Sequence, residues 1–126
     1  MLQQSPVRAT LPVADMERAK RFYAEKLGLT SIRDDPAEVF YECGSGSILV
    51  LFPSRGAPSG THTQAKFDVT DIVAEVAGLK AQGVVFEDYD LPQFKSMDSI
   101  VTMGPVRAAW FRDTEGNLLA LAQSSS

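Results

Sequence analysis

Charged and polar side chains at alternate positions of two apolar stretches are the first candidates for chemistry in this sequence. In "VRATLPVAD" (Val7–Asp15), Arg8 and Thr10 alternate with Val7, Ala9, Leu11 and Val13. In "TQAKFDVTD" (Thr63–Asp71), Gln64 and Lys66 take the corresponding places. A period of two puts such side chains on one face of a strand. A guanidinium and an ammonium on that face suit a carboxylate, a phosphate or another oxygen-rich anion, which arginine can hold bidentately. Nucleophilic devices are scarce. His62 and Cys43 are the only residues of their types, so a Ser–His pair with Ser45 or Ser47 has one imidazole to draw on, and a lone buried thiol is inert. The "GSGS" stretch lacks the lysine and following helix of a phosphate loop. These residues name no reaction.

The elements that position them repeat. Val7–Val13 reads as a strand, and Asp15 is an N-cap candidate for a helix carrying Met16, Ala19, Phe22, Tyr23 and Leu27 at helical spacing. Gly28 is suited to end that helix. Strand candidates follow at Thr30–Arg33, Val39–Cys43 and Ile48–Phe52, with a turn at Gly44–Gly46. Pro53–Thr63 is rich in Pro, Gly and Ser and reads as a linker. The order then starts again: strand Gln64–Asp71 ending in a cap, helix Ile72–Gly83, and strands at Val84–Tyr89, Arg107–Arg112 and Leu118–Ala122. Asp15 aligns with Asp71 at an offset of 56, and Phe40 with Trp110 at an offset of 70. The additional 14 positions match an insertion, Asp90–Pro105, expected to be a loop with a short extended piece. The expected organisation is α+β: one domain over residues 1–126, with a first βαβββ module at 6–53, a linker at 54–63 and a second module at 64–123.

Composition sets limits. A chain of 126 residues, 44% hydrophobic and 22% charged, can bury a core without disulfides. The net charge of −4 argues against nucleic acid as a partner. No apolar run approaches membrane-spanning length, and no export signal is evident, so a cytoplasmic protein without membrane association is expected.

Two motifs carry a resemblance. "LPVADMERAKRFYAEKLGL" and "AAWFRDTEGNLLAL", with its Asp-x-x-Gly-Asn turn, resemble the vicinal-oxygen-chelate superfamily, which includes glyoxalase I, extradiol dioxygenases, fosfomycin-resistance enzymes and bleomycin-resistance proteins. The resemblance spans residues 6–123. It implies two tandem βαβββ modules forming a curved mixed sheet around a cleft. It also implies that metal-using members hold their ion at positions that here carry Arg8, Val50, Gln64 and Ala120. Guanidinium, isopropyl and methyl groups donate no electron pair, and one amide oxygen is too few for a catalytic metal. The expectation is no metal and no cofactor.

In that geometry the cleft receives Arg8, Thr10, Gln64 and Lys66 from the first strands and Ile48, Val50, Phe52, Leu118, Ala120 and Ala122 from the last strands. Arg8 is open to two readings, contact with a ligand or an internal pair with a carboxylate such as Glu42. Phe40, Tyr41, Tyr89, Phe94, Trp110 and Phe111 could wall the cleft, with at least half expected in the core. Tyr89, Phe94, Met97 and Met103 are candidates for a lid or entrance. Glu87, Asp88, Asp90 and Asp98 make that region acidic, either to attract a cationic guest or as a solvated surface. The resemblance implies a homodimer with clefts across the subunit boundary. The leading expectation is metal-free sequestration of a small-molecule drug or metabolite, like that of bleomycin-resistance proteins. An enzyme is the first alternative: a glyoxalase- or dioxygenase-like lyase or isomerase, either metal-independent with Arg8 as electrophile or a metalloenzyme with its ligands at other positions. A structural or regulatory protein with a vestigial cleft is the second.

Overall fold

The computed structural model describes residues 2–124. In the first half β1 (Ala9–Val13) leads into α1 (Met16–Arg21), followed by β2 (Ser31–Asp34), β3 (Val39–Glu42) and β4 (Ile48–Pro53). In the second, β5 (Ala65–Asp68) leads into α2 (Ile72–Ala81). There follow β6 (Asp90–Leu91), β7 (Phe94–Lys95), β8 (Val101–Met103), β9 (Val106–Arg112) and β10 (Leu118–Ser124). The strands form two four-stranded mixed sheets, β1-β4-β3-β2 and β5-β10-β9-β8, with β6 and β7 as a separate pair. No helix among the described residues is long and apolar enough to cross a membrane.

The doubling visible in the sequence is reproduced in register. Thr10 lies opposite Val50, which lies opposite Phe40. Lys66 lies opposite Ala120, which lies opposite Trp110. Both helices begin on an aspartate. The Asp15 carboxylate accepts from the Arg18 amide at 3.1 Å, and the Asp71 carboxylate from the Ala74 amide at 3.1 Å. Each takes one of the amide donors that a helix start leaves free. The first helix is one residue longer before its terminal glycine. A π-helical turn, Phe22–Lys26, takes up that residue, with the Leu27 amide bonded to the Phe22 carbonyl at 3.3 Å. Gly28 and Gly83 then leave their helices at positive φ, 72° and 93°.

The structure departs from expectation around the insertion. Val84–Tyr89 is not a full strand: Phe86 forms an isolated bridge to Phe111, and the Glu87 amide bonds the Trp110 carbonyl at 2.8 Å. The chain then leaves β9, and β8 takes up the edge further along. A strand signal there competes with the need to start a 14-residue excursion. The insertion holds more structure than a loop. It contains the β6–β7 hairpin and a tight turn in which Met97 and Ile100 exchange backbone bonds of 2.8 and 3.0 Å across Asp98 and Ser99, both at positive φ.

One core serves both modules. Leu11, Val13, Leu49 and Leu51 of the first sheet and Ala109, Phe111, Leu119 and Leu121 of the second meet Tyr23, Ile72 and Val76 of the helices in a single cluster. The helix-covered faces of the two sheets therefore look toward each other. Their opposite faces look outward, away from each other.

Candidate functional site

The outer face of the second sheet is the richer in recognition groups. Trp110 on β9 is held by its indole N–H donating to Thr63 Oγ1 at 2.9 Å. The rings of Tyr89 and Phe94, on either side of β6, pack against it at 5.5 and 5.4 Å and against each other at 5.0 Å. All three rings are half-buried, which leaves part of each for a guest. Ala120 is buried behind Trp110, and Lys66 is exposed on its other side, paired with Asp68 at 3.1 Å. Gln64 sits just before β5, and its amide oxygen is buried with no hydrogen-bond partner. A buried acceptor left unpaired costs about 1–3 kcal/mol, so a donor arriving there binds favourably. Met103, 38% exposed at the far edge, completes this face.

The outer face of the first sheet is simpler. Val50 is buried, Phe52 half-buried, and Thr10 and Arg8 are exposed. The Arg8 guanidinium lies 5.7 Å from the centre of the Phe40 ring, and Arg33, which the sequence did not single out, lies 5.2 Å from the same ring. Arg33 is engaged by Asp35 at 2.8 Å, whereas Arg8 has no ion pair among the described residues and is not joined to Glu42. Arg8 is thus a cation resting on an aromatic face with its donors free.

Within one chain the two sets meet at one place, a hollow of about 500 Å³ that Ile48 of the first module and Lys66 of the second both line. No hydrogen bond, ion pair or ring contact among the described residues joins Arg8, Thr10, Val50 or Phe52 to Gln64, Lys66, Tyr89, Phe94, Met103, Trp110 or Ala120. The aromatics sort by strand parity: Phe40 and Trp110 are on outer faces, whereas Tyr41 and Phe111 are in the core at 2% and 0% exposure. Half of the acidic group is paired, Glu87 with Arg112 at 3.0 Å and Asp90 with Lys95 at 3.4 Å.

The metal-ligand positions can be tested on the same observations. Gln64 offers one oxygen; Arg8, Val50 and Ala120 offer none, and no cluster of three His, Cys, Asp or Glu exists among the described residues. This donor set does not fit a divalent ion. His62 lies in the exposed linker, where Nδ1 meets Ser59 Oγ at 2.5 Å, not Ser45 or Ser47. Burial pushes the Cys43 thiol up, away from a reactive thiolate.

The Asp-x-x-Gly-Asn turn, by contrast, is structural. Asp113 accepts the amides of Glu115 and Asn117 on one oxygen, and the Tyr23 hydroxyl at 2.7 Å and the Asn117 side chain on the other. Glu115 accepts the amides of Ala14 and Asp15 and a two-bond grip from Arg18. This turn of the second module therefore clamps the strand-to-helix corner of the first. Burial and the Asp113 carboxylate push the Tyr23 phenol well up, so it remains a donor. Its pseudo-symmetric counterpart is a hollow of about 250 Å³ that Cys43 and Leu79 line with other mostly apolar residues and with Asp68 and Glu75.

A model of the Glyoxalase/Bleomycin resistance protein/Dioxygenase superfamily matches residues 5–121. The chain is 31% identical to the uncharacterized protein YurT of Bacillus subtilis (strain 168), over 88% of this chain and 92% of that one. Among solved structures it superposes on TnmS3, an antibiotic binding protein from Streptomyces sp. CB03234, with a TM-score of 0.67 and 24% identity over 97% and 98% of the two chains. It superposes on the fosfomycin resistance protein FosX of Listeria monocytogenes with a TM-score of 0.71 and 16% identity over 98% and 92%.

Proposed function

The chain belongs to the Glyoxalase/Bleomycin resistance protein/Dioxygenase superfamily, and on that premise we propose that it is a metal-free binding protein that sequesters a small drug or metabolite in a cleft completed by a second copy of itself. The observation that carries this reading is the outer face of the second sheet, which holds three half-buried rings packed on one another and, by strand register, an unpaired buried amide oxygen. Rings bind flat apolar surface, and the Gln64 oxygen selects a guest that donates a hydrogen bond there. The outward direction of both faces supports a composite site: Arg8 and Phe40 of one chain close over Trp110 and Gln64 of the other. Arg8, with its donors free, then holds an acceptor or anionic group of the same guest.

Trp110 is the only tryptophan, so its fluorescence reports on this face directly. The test is a titration with bleomycin, fosfomycin and 1-naphthoate, with and without a chelator. The expected result is saturable quenching by at least one compound, unchanged by chelator and lost in Gln64→Ala or Arg8→Ala. Quenching that requires an added divalent metal, or none with any compound, contradicts the reading.

A further inference from the structure

A groove of about 640 Å³ lies on the helix side of the second module, between α2 and the insertion. That is the size of ordinary small-molecule sites. Val73 and Val76 of α2 and Met97 and Ile100 of the insertion give it apolar walls. Val73 and Met97 are 55% and 76% exposed, although each is a large apolar side chain. Its charge is opposite to that of the chain as a whole. Lys80, Lys95 and Arg107 line it against the single carboxylate of Asp98, in a protein of net charge −4.

Arg107 is the informative residue. It is half-buried on β9, and its guanidinium donates to the neutral amide oxygen of Gln123 at 3.2 Å. That oxygen is already taken by the Ile72 amide at 2.8 Å. Lys95 is shared with Asp90 at 3.4 Å, while neither Arg107 nor Lys80 has a carboxylate partner among the described residues. A partly desolvated guanidinium without a counter-charge is satisfied by an anion, most strongly by a planar carboxylate.

We propose that this groove is a second ligand site, for a small organic carboxylate with an apolar body. Arg107, with Lys80, takes the carboxylate, and the body lies along Val73, Val76 and Met97. The site is on the opposite side of the second sheet from the ring trio. Phe94 is common to both, since it lines the groove and packs on Trp110.

The test is an amide-resolved NMR titration of the full chain with 4-phenylbutyrate, and with 4-phenylbutanol as its uncharged counterpart. The acid is expected to shift the amides of residues 73–80, 94–100 and 107 saturably, with the alcohol binding about tenfold more weakly, the worth of one charge-assisted hydrogen bond. Arg107→Gln is expected to weaken the acid by a similar factor. Lys80→Ala, on an exposed helix position, is expected to weaken it as well and guards against a folding defect in the first variant. Absent shifts, shifts confined to β5 and β10, or equal binding of acid and alcohol overturn the proposal.

Discussion

Glu115 is one of the polar links between the two modules, with Asp113 and Asn117. Its side chain is 1% exposed. Burial opposes its ionisation, but bonds from Arg18, the Asp15 amide, the Thr114 hydroxyl and the Ala14 amide outweigh burial and hold the carboxyl at about 2. A carboxyl depressed on folding stabilises the protein above its unfolded value, near 4.3, and loses that contribution as pH falls toward 2. Glu115→Gln is therefore expected to lower stability at pH 7 by about 3 kcal/mol, on the order of two pH units of linkage. The gap between variant and parent narrows as pH drops from about 4.5 to about 2, the window that linkage sets. Urea midpoints of both proteins at pH 7 and pH 3 check this; a gap of the same size at both values contradicts the assignment.

At the scale of elements, the two strand-to-helix corners are built alike, and each depends on its aspartate. Asp71→Ala removes the acceptor for the Ala74 amide and is expected to cost about 1 kcal/mol, read as a lowered thermal midpoint. An unchanged midpoint would mean that water replaces the cap fully. These corners were readable in the sequence because caps, glycine exits and side-chain periodicity are local. The sequence left Phe40, Tyr41, Trp110 and Phe111 together as possible cleft walls, and the strand register is what sorts them, Tyr41 and Phe111 into the core and Phe40 and Trp110 onto the outer faces. The break after Phe86 was not readable, since it depends on pairing with Phe111 across the insertion. Nor was the seat of Arg33 on Phe40, which comes from the β2–β3 register. Least visible of all was that the two candidate faces point apart. Their placement rests on contacts such as Tyr23 with Asp113 and Asn117 with the Pro12 carbonyl, which join residues far apart in the chain.

For the whole molecule, those outward faces matter more than any single side chain. β1 and β5 are edge strands, each paired with one neighbour in the described sheets, and an open edge beside an open face favours a second copy. Pro12 in β1 suits such an edge, where a missing N–H costs little. A shared cleft makes a specific demand on mixed dimers. In Arg8→Ala homodimers and in Trp110→Phe homodimers, both clefts are damaged. A dimer with one chain of each kind has one cleft carrying both changes and one carrying neither. The most direct measurement is therefore binding of the compound that quenches Trp110 most strongly to each variant alone and to the two refolded together as a mixture. Recovery of high-affinity sites in the mixture, at about half the number of mixed dimers' clefts, is the predicted result. A mixture that binds no better than the two variants separately contradicts the composite cleft.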